Sequence, residues 1–471
     1  MEKSDRLGSE PINKLLLRLA TPAIIGMIVN ALYNLVDTMF VGNSIDGVNA
    51  LNALSIAFPI QNIMAAISLW IAVGSGAVIS VYLGKKDLSK VQNIIGSAYA
   101  LATIVAILFL IFGNVFIEQL LDLYNAQEGS RQLAKDYLSV IFIGNIAFTN
   151  IYVSTNIFRA EGNASASMIV MLIGVGVNLV LDPIFIYDFG FGLGVKGAAI
   201  ATSIGQASAI FYVLYLVNKK RTMINVPLKK FIIDFKVMAE CLKVGFPSFV
   251  RNFINSLIAV VMFSLLLKYG DLTGVEKGGE LAQTVYGTIN KVVMFVVMPS
   301  FGIIQGMQPI IGYNYGAKKY DRIFDVIKLG IKVVTIYFIA VWALVMATPS
   351  VIINIFNSDA TFVKMGENVL RIVLLVLPII SVQIVVSCYF QALKKAKEAF
   401  ITAVSRQILF LIPLIYILPL FVPDEMKLYA LFFAFPLADL LSVILSAIMY
   451  RKGSRELKKE AEDFYNSTVK L

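Results

Sequence analysis

Long apolar stretches alternate with short polar ones along this chain. About twelve runs of about 20 residues can be drawn, each long enough to cross the roughly 30 Å hydrocarbon layer of a bilayer as a helix. The pattern predicts an all-α membrane protein with about twelve transmembrane helices. Composition agrees: 58% of the 471 residues are hydrophobic, 15% are charged, and mean hydropathy is +0.80. A soluble chain would carry about a quarter charged residues.

Polar residues inside apolar runs carry the chemical information, because lipid does not tolerate them without a reason. The first span, about residues 15 to 41, holds Pro22, Asn30, Tyr33, Asn34 and Asp37. Asn30, Asn34 and Asp37 recur at i, i+4, i+7, a polar stripe that must face protein or a wet cavity. Asp37 is expected toward the outer end, either in such a cavity or as an exposed acid at the helix end. The run Met168–Tyr187 holds Asn178 and Asp182 one turn apart, with Pro183 removing a backbone donor and freeing a carbonyl one turn back. Near mid-depth, these oxygens would suit a hard cation or a proton. The plainer alternative is that Asp182 satisfies a broken helix. The following span places Thr202 and Gln206 on one face, although such a threonine often bonds its own backbone. Asn156, at the end of the fourth span, is either a neighbour of the cation site or a helix-packing amide.

The +10 net charge is set by topology. Basic clusters at Lys85-Lys86, Lys219 to Arg221, Lys229-Lys230, Lys318-Lys319, Lys394-Lys395 and Arg451 to Lys459 fall in alternate loops and the tail, which predicts both termini in the cytosol. Arg251 and Lys291 are read as the basic residues within spans. Nucleic acid is not an expected partner. The start MEKSDRLGSEP lacks an apolar core behind a basic end, so no removable signal peptide is expected. Histidine is absent, which excludes histidine triads, ligands and proton switches. Cys241 and Cys388 belong to different spans and imply no disulfide framework. No Walker A, CxxC, HExxH or GxSxG motif occurs in a fitting context.

The second half repeats the first. Ala20-Thr21-Pro22 matches Gly245-Phe246-Pro247, and Asn30 matches Asn255 at the same spacing; Gly84, Lys86 and Lys90 match Gly316, Lys318 and Arg322 at an offset of 232, as does Phe158-x-Ala160 with Phe390-x-Ala392. At these offsets Asp37 becomes Met262 and Asp182 becomes Leu414, so a cation site is expected in the first half alone. The expected divisions are a first bundle at 1–218, a cytosolic connector at 219–236, a second bundle at 237–452 and a cytosolic tail at 453–471. Transporters built from such repeats bind between the halves and rock between two open states.

Asn178-x-x-Leu181-Asp182-Pro183-Ile184-Phe185, followed by Gly194-Val195-x-Gly197-Ala198-Ala199-x-Ala201-Thr202, resembles the signature of the multidrug and toxin extrusion (MATE) transporters, nearest their DinF-like and MepA-like bacterial branch. Tyr33-Asn34-x-x-Asp37 resembles that family's first-helix motif. The resemblance implies two six-helix bundles related by pseudo-two-fold symmetry, in the cytoplasmic membrane of a bacterium. It implies an antiporter exporting small organic, cationic or amphipathic compounds against inward Na+ or H+, with no other cofactor, no obligate protein partner and no enzyme activity. Asp37 and Asp182 would carry the coupling charge. Asn178, Thr202, Tyr33 and Asn156 would be their partners, with Na+ a candidate at Asp37, Asn178, Asp182 and Thr202. Asn30, Asn34, Gln206 and Asn255 would face the substrate; Lys291, too deep in its span to reach the interface with ease, is expected either to face that cavity or to bond carbonyls freed near Pro299. A flippase of lipid-linked precursors, an intramembrane enzyme and a channel are the alternatives.

Overall fold

A computed structural model of the chain describes residues 2–44, 47–124, 126, 128–224 and 234–469. The basic pair Lys229-Lys230 lies outside them. Twelve long helical elements follow one another: α1 (Ile12–Gly42), α2 (Gly47–Gly84), α3 (Leu88–Val115), α4 (Glu128–Ala160), α5 (Ala164–Ile186), α6 (Gly194–Asn218), α7 (Phe235–Gly270), α8 (Gly278–Gly316), α9 (Tyr320–Ala347), α10 (Ala360–Val373 and Leu377–Ala392), α11 (Ala396–Val404, continuing to Ile417) and α12 (Lys427–Val469). Eleven are long and apolar enough to span a membrane alone, and the two arms of α10, bent by 49°, make the twelfth together. No strand occurs among the described residues. Large apolar side chains such as Leu17, Phe211 and Val260 remain exposed, as lipid-facing surfaces require.

Helix starts follow local chemistry. The Asp87 carboxylate accepts from the Lys90 amide at 3.1 Å to open α3, and Asp359 accepts from the Phe362 amide at 2.8 Å to open α10. Helix ends reveal the repeat. Lys86 and Lys318 both adopt φ of 58°, and Gly162 (80°) and Lys394 (60°) also share the offset of 232. The left-handed turn costs a non-glycine residue about 1–2 kcal/mol, so its recurrence at matched lysines is a structural trace of the duplication. Beyond the fourth span, Glu161 holds the start of the connector, accepting from Thr222 Oγ1 and the Met223 amide, each at 2.6 Å.

The chain separates into two compact units, Met1–Phe249 with Gln308–Ala317, and Val250–Met307 with Lys318–Leu471. In the first unit, α2 meets the start of α7 and the end of α8 through glycines. A Cβ on Gly74 would lie 2.0 Å from the Cys241 carbonyl oxygen, and one on Gly245 2.1 Å from that of Trp70. Further along, a Cβ on Gly84 would lie 1.9 Å from the Tyr313 oxygen, and one on Gly316 1.9 Å from the Val81 oxygen. Positions 81 and 313, like 84 and 316, are equivalent in the repeat, so each makes the contact its counterpart makes. The Trp70 indole N–H donates to the Leu242 carbonyl at 2.7 Å, and its ring stacks on Phe249 at 4.9 Å. In the second unit, the tail of α12 is tied down: Lys395 pairs with Glu456 at 2.7 Å and the Tyr320 hydroxyl donates to Glu460 at 3.1 Å.

Candidate functional site

Within the first unit, α5 and α6 form an antiparallel hairpin whose closeness depends on glycine. A Cβ on Gly197 would lie 2.3 Å from the Phe185 oxygen, and one on Gly205 would lie 2.6 Å from the Gly174 oxygen and 3.0 Å from Asn178 Cβ. This approach brings Thr202 to Asn178. The Asn178 amide donates to Asp182 Oδ1 at 3.1 Å and to Thr202 Oγ1 at 3.2 Å. From α1, the Tyr33 hydroxyl reaches the same Thr202 oxygen at 3.4 Å. The Asp37 carboxyl, one turn beyond Tyr33, comes within hydrogen-bonding reach of Asp182.

Five of the six residues assigned to coupling therefore meet at one place. Asp182 is 0% exposed and Asn178 2%. Asp37 Oδ1, Asp182 Oδ2 and Asn178 Oδ1 are buried without a hydrogen-bond partner. Buried oxygens without donors are costly, and here three of them lie around two adjoining carboxyls. Hard cations take oxygen ligands, so the donor set fits Na+ or a proton. No cluster of three or more His, Cys, Asp or Glu side chains suited to a metal occurs among the described residues; the candidate set relies on amide and hydroxyl oxygens as well.

Two expectations need correction. Asp182 is not at mid-depth: it stands one turn from the C-terminal end of α5, about 27 Å from the other end at 1.5 Å per residue. Asp37 is equally near the end of α1, which is why the acids meet. Asn156 does not join them. It lies one turn before the α4–α5 turn, at the opposite end of α5 from Asp182, because the two helices run antiparallel. Its amide donates to the Tyr152 carbonyl at 2.9 Å, and its backbone oxygen lies 3.2 Å from where a Cβ on Gly76 would be. It is a helix-packing residue.

The residues expected to face substrate are dispersed. Asn34 is exposed and donates to the Asn30 carbonyl at 2.8 Å, so this part of the α1 stripe stays outside the cluster. The Gln206 side-chain oxygen lies over Gly144 of α4. Asn255, in the second unit, accepts from Gln407 at 3.2 Å. Lys291 is exposed on α8 and forms no ion pair among the described residues. Arg251 sits over the Phe301 ring at 5.3 Å. The count of basic residues within spans is also corrected, because Arg406 lies inside α11, where its guanidinium pairs with Asp439 of α12.

Sequence reasoning missed two residues beside the acids. Tyr137 of α4 lies in electrostatic reach of both Asp37 and Asp182, and Gln61 of α2 donates to its hydroxyl at 3.2 Å. An aromatic residue near a span end and a lone glutamine are ordinary in membrane helices, so neither stood out.

A family model described as MatE matches the chain twice, over residues 22–184 and 247–417, one match for each half of the repeat. Among curated relatives, the multidrug export protein MepA of Staphylococcus aureus (strain NCTC 8325 / PS 47) is 27% identical over 410 residues, 87% of each chain. Among solved structures, the MATE multidrug transporter DinF-BH in complex with R6G is 36% identical with a TM-score of 0.85, the match covering 96% of this chain and 98% of that one. A multidrug resistance MATE family transporter of the MOP superfamily, in its outward-facing conformation, is 25% identical with a TM-score of 0.87 over the same shares. The chain belongs to the MatE family.

Proposed function

We propose that this protein is a secondary active exporter of small organic compounds, cationic or amphipathic, driven by inward movement of Na+ or H+ across the bacterial cytoplasmic membrane. The observation that carries this reading is the Asp37–Asp182 pair, with three buried oxygens lacking donors around it. Two adjoining carboxyls cannot both stay ionised in a dry site without a counter-charge. A proton or a Na+ supplies it, and Asn178, Thr202 and Tyr33 hold the carboxyls in position to receive it. Because the acids come from α1 and α5, cation binding draws these helices together and cation release lets them part. Any movement that opens the site to one side then changes its affinity, and by linkage the ion changes the stability of that conformation. Alternating access by rocking of the sequence halves 1–218 and 237–452 converts this into export.

Reconstituted protein given a Na+ or a pH gradient should move a fluorescent organic cation, and Asp182→Asn should reduce the movement to background at normal expression. Undiminished movement by Asp182→Asn would remove the coupling role. A flippase of anionic lipid-linked precursors is the less favoured reading. It requires several cations gathered in one cavity, whereas Arg406 is paired with Asp439, Arg251 lies over the Phe301 ring, and of these three only the exposed Lys291 has neither kind of contact among the described residues.

A further inference from the structure

The second unit holds a charged pair that the cation site does not use. Arg406 Nε donates to Asp439 Oδ1, and Nη2 reaches Oδ2 at 3.3 Å. The Asp439 side chain is 1% exposed and that of Arg406 27%, so the acid is the more deeply buried partner. Nη1 makes no hydrogen bond among the described residues. The pair lies within two spans, where ionised groups are costly and face a protein interior or a wet cavity. At Arg406 helix α11 widens into a π-helical stretch, Ser405–Leu411. Such bulges are frequent at functional sites.

The surroundings are aromatic and amphipathic. Tyr286 of α8 lies in electrostatic reach of Arg406, with Asn290 one turn on and close to its hydroxyl. The Tyr286 ring contacts Phe263 at 5.9 Å edge-on, and Phe435 at 6.3 Å. Phe263 is 41% exposed and Asn290 is exposed, so this wall is open on one side. Tyr286 and Phe435 are buried, so the ring open to the outside is that of Phe263; an amide and a guanidinium edge near it would be unfavourable against lipid tails but favourable against a ligand with a flat apolar body and an acceptor group.

We propose that Arg406, held by Asp439, forms with Tyr286, Asn290 and Phe263 a second binding site, one that takes the carboxylate or other anionic group of a planar aromatic substrate. The inference rests on the export reading given above and extends its substrates from cations to zwitterions. The guanidinium keeps Asp439 as counter-charge and accepts the substrate acid at its free edge; a zwitterion brings its own cation, so the occupied site gains no net charge.

The test uses a rhodamine in two forms, the ethyl ester (a fixed cation) and the free acid (a zwitterion). Binding to purified protein is read by fluorescence anisotropy, independently of any ion gradient. The variant is the double replacement Arg406→Gln with Asp439→Asn, which removes both charges together, and Arg406→Lys is measured beside it. Free-acid binding should weaken at least about tenfold in the double variant, the scale of one lost charge-assisted hydrogen bond, while ester binding changes less than about twofold. Arg406→Lys, which keeps charge without the fork, should lose an intermediate amount of free-acid binding. Equal losses for both dyes would mean a structural pair and overturn the proposal, as would no loss for either, or a wild type that does not bind the free acid. Binding of both dyes without gradient-driven movement would count against the export reading alone.

Discussion

Gly84→Ala is the sharpest probe of how α2 closes on α8. The new methyl would stand 1.9 Å from the Tyr313 oxygen, 2.8 Å from its carbonyl carbon and 2.9 Å from the Ala317 nitrogen, all backbone atoms that no rotamer change can move. Real Cβ atoms essentially never approach closer than 3.0 Å, so the helices must separate by about 1 Å at this crossing. Overpacking of this kind costs about 1–3 kcal/mol. At about 1.4 kcal/mol per factor of ten, the fraction of molecules with the crossing open rises roughly 5- to 140-fold. Cys241 is a native reporter: it is buried on α7, and its carbonyl faces Gly74 of the same α2. In a Cys388→Ala background, Gly84→Ala should accelerate alkylation of Cys241, with that factor as the upper bound because the reporter sits at the neighbouring Gly74 crossing. Gly176→Ala is the control, since a Cβ there would meet nothing within 4 Å. Equal alkylation rates in the two variants would refute the view that this glycine crossing limits opening.

Tyr137→Phe removes the hydroxyl that receives the Gln61 amide beside the acids; apparent affinity for the driving ion should fall about three- to tenfold, on the scale of one hydrogen bond, with maximal rate retained, and an unchanged ion dependence would place Tyr137 outside the mechanism. Orientation is tested with single cysteines at two exposed positions. Ser89→Cys should resist a membrane-impermeant thiol reagent in intact cells and Glu128→Cys should react, with the reverse pattern refuting cytosolic termini.

The spans and the cluster of Asp37, Asn178 and Asp182 were legible because both follow from a strong penalty. Asp37, Asn178 and Asp182 stand in runs where lipid admits few polar groups, and helical spacing put Asn178 and Asp182 on one face. Depth was less legible. Spacing along one helix says nothing about which ends of two antiparallel helices meet, so Asn156 was grouped with acids that lie at the other end of its neighbour. Arg406 was hidden for another reason: Ser405-Arg406-Gln407 follows the basic loop Lys394 to Lys397 and reads as its continuation. Only the position of Asp439 on α12 makes a charge at that point tolerable. Tyr137 and Gln61 entered the site through tertiary placement, which no local pattern reports.

The composition of the first compact unit also constrains how the chain is made. Synthesis delivers residues in order, and domains commonly fold as they emerge. Here the first unit draws on Phe235–Phe249 and on Gln308–Ala317 as well as on the first six spans. The α2 surface at Gly74 therefore stays uncovered until the start of α7 has been made, and that at Gly84 until the end of α8 has, well after the connector has left the ribosome. A chain cut at that connector would release a first fragment lacking the helix ends that Gly74 and Gly84 are shaped to receive. The two halves of the sequence are thus a unit of duplication, while the first compact unit reaches past the first half into the second.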